Sequence, residues 1–210
     1  MQEPDVVVVA AGRGPVVEVP AAPTVVAADG GADRALALGL SVDVVIGDLD
    51  SIARETLARL ERDGVRVLGH PARKDATDLE LALDEALALD ARRVLVVASS
   101  AGRLDHLLSS LLLLGHERYA GLELTALVGD AVAWVVRDER RLDGRPGALL
   151  SLFALGGPAR IRTEGLEYPL VDELVEPGSS RGVSNVFLGD AATVHVAEGV
   201  VLALRPGAAS

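Results

Sequence analysis

The first half of the chain alternates short apolar runs with longer segments in which apolar residues recur at helical spacing. Continuous β-branched runs of this length are typical of parallel strands that are buried on both faces. Strands are predicted at residues 5–11, 24–28, 43–46, 65–68, 94–98 and 122–128. Helices are predicted between them at residues 52–62, 78–89 and 104–119. This alternation predicts an α/β domain with a mostly parallel sheet, Rossmann-like and three-layered.

The second half of the chain loses the helical period from about Leu142 onward. Short apolar stretches at residues 148–154, 191–196 and 200–204 are separated by glycine and proline turn signals, which predicts a small all-β domain. The charged segment before them has no bulky apolar pattern and is predicted to be a linker. The expected boundaries are 1–137 for the α/β domain, 138–145 for the linker and 146–210 for the β domain.

Composition and charge narrow the classes of function. Half of the 210 residues are apolar, as in folded globular proteins, and the net charge of −11 disfavours binding to a nucleic-acid backbone. The absence of cysteine excludes disulfides, thiol nucleophiles and Cys-ligated zinc. The early apolar run at residues 6–11 is too short to span a bilayer and follows acidic rather than basic residues. We therefore expect a cytoplasmic protein with neither a membrane nor a nucleic-acid partner.

Acidic residues follow four successive predicted strands. They are Asp29 after the second strand, Asp48 and Asp50 after the third, Asp75 and Asp78 after the fourth, and Asp105 after the fifth. The carboxyl ends of parallel strands meet at one edge of the sheet, where ligands bind, so these side chains are expected to converge. Asp48 and Asp50 are two residues apart and would project to the same side of an extended backbone. Gathered carboxylates repel one another unless cations lie among them, and oxygen ligands favour Mg²⁺.

Each of these features is weak when taken alone. An isolated Asp-x-Asp is more often an ordinary polar loop, and Arg103 beside Asp105 is more often a surface ion pair than a catalytic couple. The glycines at positions 30, 31, 47 and 102 would let the backbone approach a phosphate closely. The joint occurrence of acids at four strand ends favours a site for phosphate and magnesium.

In order and spacing, these segments resemble the thiamine pyrophosphokinase family. The matching segments are ADGGADR at 28–34, DVVIGDLDSI at 43–52, KDATDLE at 74–80, GRLDH at 102–106, GLEYPL at 165–170 and GVSN at 182–185. The resemblance implies an α/β nucleotide domain, a β-sandwich-like domain and a homodimer whose active site is shared between subunits. It also implies a magnesium-dependent transfer of a diphosphoryl group from ATP to the thiamine hydroxyl, which releases AMP.

The resemblance implies a role for individual residues. Asp48, Asp50 and Asp78 would bind Mg²⁺ and, with Arg103, form the catalytic set. The implied ATP-binding residues are Asp29, Gly30, Gly31, Lys74, Asp75, Thr77, Arg103, Asp105 and His106. The implied thiamine-binding residues are Tyr168, Ser184 and Asn185. Some family members carry Trp where Tyr168 stands, which would make the stacking surface smaller here.

Two alternatives remain open from the sequence. One is another Mg²⁺-dependent phosphotransferase or phosphohydrolase that uses an Asp-x-Asp metal site. A dehalogenase-like phosphatase places that motif after its first strand, whereas the first strand here ends in Ala10-Ala11-Gly12. The other alternative is a non-catalytic nucleotide sensor with a regulatory β domain, which would be expected to lack the metal-binding carboxylates.

Overall fold

The computed structural model describes residues 3–14, 18–72 and 75–207, which form two compact units. The α/β unit comprises the described residues of 2–110 together with 121–129. The β unit comprises residues 111–120 together with the described residues from 130 onward. Among the described residues, no helix combines the length and the apolarity that crossing a membrane would require.

Six strands of the α/β unit are parallel and lie in the order β6-β5-β1-β2-β3-β4. Their bounds are β1 Val6–Val9, β2 Thr24–Ala28, β3 Val44–Gly47, β4 Arg66–Gly69, β5 Arg93–Ala98 and β6 Glu123–Val128. Valine dominates the centre of the sheet, and all four residues of β1 are buried. The strand order reverses between β1 and β5, which makes this the switch point where parallel sheets of this kind bind ligands.

Four helices connect these strands: α1 Gly31–Ala37, α2 Arg54–Arg62, α3 Asp78–Ala88 and α4 Leu104–Leu114. Helix α3 begins at a cap in which the Thr77 side chain accepts a hydrogen bond from the Glu80 N–H at 3.2 Å. Its buried face, which includes Leu83, packs against β1, β2 and β3. Helix α4 is shorter than predicted, because the chain turns at Gly115 and continues as a separate 3₁₀ helix at Glu117–Tyr119.

The β unit contains eight strands in two antiparallel arrays, β12-β9-β14-β7 and β11-β10-β13-β8. Their bounds are β7 Ala131–Val136, β8 Glu139–Asp143, β9 Leu149–Ala154, β10 Ala159–Glu164, β11 Glu173–Val175, β12 Asn185–Val186, β13 Ala191–Glu198 and β14 Val201–Arg205. Buried and more exposed residues alternate along β9, β10 and β13. Such alternation means that these three strands bury one face, as in a sandwich-like core, whereas β7 and β14 are buried along most of their length.

The fold class predicted from the sequence is confirmed, but the boundary between the halves differs. The segment predicted as a linker, 138–145, contains β8, which pairs with β13 and buries Leu142 completely. The strand was hidden because four of its five residues are charged and only Leu142 is apolar and buried. Strand β7 also belongs to the β unit, because it pairs with β14, so the units divide at residues 129–130 rather than at 137.

Candidate active site

Three carboxylates converge at the carboxyl edge of the parallel sheet. Asp29 follows β2, Asp48 follows β3 and Asp78 is the first residue of α3. One oxygen from each lies within 4.8 Å of the other two, and we call these three residues the acidic group. Asp29 is buried, whereas Asp48 and Asp78 are partly exposed. The arrangement offers a divalent cation several oxygen ligands while leaving room for water or a substrate.

Gly47 makes this convergence sterically feasible. It ends β3 with a φ of +148°, a conformation that favours glycine. A Cβ at this position would lie 2.8 Å from Oδ1 of Asp78 and 2.9 Å from the Cβ of Asp29. Any larger residue would therefore push two of the three acids away from their positions.

Asp29 occupies a constrained and poorly solvated position. Its φ is +46°, which is uncommon for a residue with a side chain. Burial raises the pKa of its carboxyl above the ordinary value and the charge of Asp78 adds to this, whereas hydrogen bonds from Ser51 oppose it. The Ser51 N–H donates to the two carboxylate oxygens at 3.2 and 3.3 Å. A cation beside Asp29 would favour its charged form, so this side chain is suited to binding a metal ion.

Asp50, a predicted metal ligand, is not in the acidic group. Its Oδ1 accepts a hydrogen bond from the Ser51 hydroxyl at 2.8 Å, and its N–H donates to Asp48 at 3.4 Å. The expectation that Asp48 and Asp50 share one side of an extended backbone is wrong, because Leu49 between them has a φ of +63°. The structure thus brings together Asp48 and Asp78 of the predicted metal set, with Asp29 as the third acid.

Arg103, Asp105 and His106 lie at the start of α4 and are exposed. Arg103 makes a forked contact with Asp105, with Nε 3.2 Å from Oδ1 and Nη2 2.6 Å from Oδ2. The guanidinium lowers the pKa of the Asp105 carboxyl to about 2, and the carboxylate raises the pKa of Arg103. Arg103 and Asp105 thus form a surface ion pair whose two charges compensate each other.

The other residues predicted to bind ATP have local structural roles or are exposed. Gly30 precedes α1, and a Cβ on Gly31 would lie 1.9 Å from the Val9 carbonyl oxygen, so Gly31 lets α1 begin against β1. Thr77 caps α3, as described above. Asp75 is exposed, and Lys74 lies outside the described residues.

The residues predicted to bind thiamine lie in the β unit. Asn185 is buried; its Oδ1 accepts the Tyr168 N–H at 3.0 Å and its Nδ2 donates to the Tyr168 carbonyl at 2.7 Å. The Tyr168 side chain remains 55% exposed. Ser184 is also exposed, with a φ of +59° and its N–H donating to Ser151. Tyr168 and Ser184 can therefore face a ligand, whereas the Asn185 amide is occupied in holding the backbone of Tyr168.

Two family profiles match this chain. The one described as "Thiamin pyrophosphokinase, catalytic domain" matches residues 18–126, which include the acidic group. The one described as "Thiamin pyrophosphokinase, vitamin B1 binding domain" matches residues 138–201. A similar curated protein is the thiamine pyrophosphokinase of Bacillus subtilis (strain 168), 25% identical over 189 residues that cover 84% of each chain.

Solved structures of several proteins share the fold. A thiamin pyrophosphokinase family protein from Enterococcus faecalis has a TM-score of 0.83 at 24% identity, covering 97% of this chain and 99% of its own. The thiamin pyrophosphokinase of Geobacillus thermodenitrificans has a TM-score of 0.77 at 26% identity, covering 98% and 99%. The similarity therefore extends over both units.

Proposed function

Because this chain belongs to the thiamin pyrophosphokinase family, we propose that it transfers a diphosphoryl group from ATP to the hydroxyl of thiamine, with Mg²⁺ as cofactor. The observation that carries this proposal is the convergence of Asp29, Asp48 and Asp78 inside the region that matches the catalytic-domain profile. The acidic group distinguishes the proposal from a sensor, which has no need for a metal-binding cluster of this kind.

The acidic group fits Mg²⁺ by its chemistry. All three side chains are oxygen donors, and their partial exposure suits an ion that keeps some of its waters and shares the rest of its coordination with phosphate oxygens. Asp29, Asp48 and Asp78 would hold the ion, which when bound would neutralise charge on the phosphate oxygens. We retain Asp50, whose backbone adjoins Asp48, as a proposed further ligand or proton acceptor.

In the proposed reaction, the thiamine hydroxyl oxygen bonds to the β-phosphorus and the bond from that phosphorus to the oxygen of the α-phosphate breaks. AMP leaves with the bonding electron pair, and the hydroxyl proton passes to a nearby base. The protein contributes mainly orientation and charge. Arg103 is suited to the phosphates because its planar fork matches two oxygens, and Asp105 fixes the orientation of that fork until the nucleotide binds.

Thiamine is proposed to bind at the segment that carries Tyr168 and Ser184. This segment lies within the match to the vitamin B1 binding profile. The exposed ring of Tyr168 offers a face for the cationic thiazolium, and the acidic chain favours a positively charged ligand.

We also propose that the protein acts as a homodimer with an active site shared between subunits. Support comes from α4, where Leu104, Leu108 and Leu112 recur at helical spacing and are each more than half exposed. Such an apolar face on a helix is typical of a surface that a second chain covers.

The direct test is to incubate the protein with thiamine, ATP and Mg²⁺ and to identify every product by chromatography. We expect thiamine diphosphate and AMP in equal amounts. Formation of ADP or free phosphate would support another phosphotransferase or a phosphohydrolase, and binding of ATP without turnover would support a sensor.

A matched pair of variants tests the thiamine site. Tyr168→Ala is expected to raise the KM for thiamine about tenfold while leaving the KM for ATP unchanged, since one cation–π contact is worth about 1–2 kcal/mol. Val171→Ala is the control, because Val171 is 74% exposed on the same segment. A Tyr168→Ala enzyme whose defect lies only in ATP would contradict the assignment.

A further inference from the structure

Arg34 is a buried cation whose partners are neutral. The residue is 8% exposed and lies in α1. Its Nη1 donates to the carbonyl oxygen of Ala10 at 3.4 Å and its Nη2 to that of Ala98 at 3.3 Å. Within the described part of the chain, no carboxylate pairs with this guanidinium. A buried positive charge is thus held by two long hydrogen bonds to main-chain carbonyls.

The position of this charge in the sheet is specific. Ala98 ends β5 and Ala10 directly follows β1, so the guanidinium joins the carboxyl ends of the two strands at the switch point. Nη1 also lies 3.7 Å from the place that a Cβ on Gly12 would take. Gly12 has a φ of +133°, and the next residue accepts a hydrogen bond from the Ser99 hydroxyl. The guanidinium therefore lies close to the segment of Gly12 and Arg13, at a point where Gly12 has no side chain.

The charge is not fully compensated by the protein. Burial lowers the pKa of Arg34, which reflects the loss of water around the guanidinium. Carbonyl dipoles offset this loss only in part, whereas an anion would offset it directly. A guanidinium has five N–H donors, and two of them are used here, so donors remain for an oxyanion. The planar fork matches phosphate and carboxylate oxygens, and phosphate is the anion that the proposed nucleotide substrate carries.

We propose that Arg34 binds a phosphate group of the nucleotide at the β1–β5 switch point, as an anion subsite separate from the acidic group. The subsite rests on the proposed function in that ATP is its natural ligand. Under this proposal, the phosphate groups of the nucleotide are recognised in two different ways. The acidic group acts through a cation, and Arg34 contacts phosphate oxygens directly.

Equilibrium calorimetry with three probes tests the subsite. Tripolyphosphate, ATP and adenosine are titrated into the wild type, Arg34→Met and Arg34→Lys. We expect Arg34→Met to lose about ten- to a hundredfold in affinity for tripolyphosphate and ATP, the range for one charge-assisted hydrogen-bonded contact, and none for adenosine. Arg34→Lys should restore part of the loss, because it keeps the charge but not the fork.

A matched control comes from the β unit. Arg137 also donates to main-chain carbonyls, those of Gly115 and His116, and burial also lowers its pKa. Arg137→Met should leave tripolyphosphate affinity unchanged. If Arg34→Met binds tripolyphosphate as tightly as the wild type, or if Arg137→Met weakens it equally, Arg34 is a structural brace and the inference is overturned.

Two further measurements keep the outcome interpretable. If Arg34→Met does not fold, the rise in Tm caused by tripolyphosphate is compared between wild type and Arg34→Lys; equal rises overturn the inference. The product assay on the wild type separates the two proposals. An Arg34-dependent affinity for tripolyphosphate without formation of thiamine diphosphate would reject the proposed function alone, and normal product formation with an Arg34-independent affinity would reject the subsite alone.

Discussion

The acidic group and the Arg103–Asp105 pair both follow strands of the α/β unit, yet the fold treats them differently. Asp29 is buried, has a left-handed backbone and depends on the missing side chain of Gly47. Arg103 and Asp105 have side chains that are 70% and 65% exposed and that neutralise each other. The first arrangement gathers three carboxylates, one of them buried, whereas the second pairs one cation with one anion at the surface.

This difference indicates where the protein has given up stability for binding. Like charges held together in a partly buried position are unfavourable until a cation arrives, which is a common property of sites built for ligands. A surface ion pair contributes little to stability and is easily opened. We therefore expect substitutions in the acidic group to have large and opposite effects on activity and stability, and substitutions in the pair to have small effects on stability.

The largest effect is expected from Asp29→Asn. Turnover should fall about a hundred- to a thousandfold, as it does when one essential electrostatic contact is lost. Without metal, however, the variant should melt above the wild type at neutral pH, because the raised pKa of Asp29 means that its ionisation opposes folding. The stability of the wild type relative to the variant should fall as the pH rises from the ordinary pKa of an aspartate carboxyl through the raised pKa of Asp29.

Asp50→Asn provides the comparison for this experiment. We expect a loss of turnover by orders of magnitude here too, but no gain in Tm, since Asp50 is exposed. Calorimetric titration with Mg²⁺ and thermal melts of both variants give the result. Normal turnover in either variant would remove that residue from the proposed metal site.

The second largest effect is expected from Gly47→Ala. The new methyl group would contact Asp78 and Asp29 at less than 3.0 Å in a conformation that disfavours side chains. A loss of about 1–3 kcal/mol in the free energy of unfolding is expected, together with weaker Mg²⁺ binding. Gly69→Ala is the control, because Gly69 is the register partner of Gly47 on β4 and its Cβ would have only Leu49 nearby, at 3.7 Å. Denaturant melts in which both variants lose equally would refute the steric explanation.

The smallest effect is expected from Asp105→Asn. The pKa of about 2 lies below the ordinary value of 3.8, so the pair stabilises the folded state above pH 3.8 and this contribution is lost as the pH falls towards 2. The Tm of the variant should lie slightly below that of the wild type at neutral pH and low salt. The gap should close in high salt and at pH 2, and a gap that persists in both conditions would show that the pair is not a simple surface contact.

Much of the site could be predicted because parallel topology brings strand ends together. The valine-rich runs identified β1, β2, β3 and β5, and three of the acids that follow the strands, Asp29, Asp48 and Asp78, converge as that arrangement requires. Helix α1 was not predicted, because it has only seven residues and begins at a glycine pair. The position of Asp50 depends on the left-handed conformation of Leu49, which no local pattern indicates.

The roles of two other residues depend on burial and hydrogen-bond partners, which the sequence does not show. Arg34 belongs to the segment 28–34 that resembles the family. A role for its charge could be inferred only from its burial and its main-chain carbonyl partners. Asn185 is predicted to bind thiamine, and the structure adds that its amide holds the main chain of Tyr168. In both cases, the sequence indicates the residue type but not the partner that determines its role.

The interruption of the α/β unit at residues 111–120 has a consequence for biosynthesis. A nascent chain that ends at residue 110 carries β5 without its outer neighbour β6, which supplies partners such as Leu124 for Val94. An unpaired valine-rich edge is a template for association with other chains. At ribosomal speeds of about 5–20 residues per second, that edge stays open for a few seconds. During synthesis, the protein therefore exposes this edge to association with other chains until β6 becomes available to cover it.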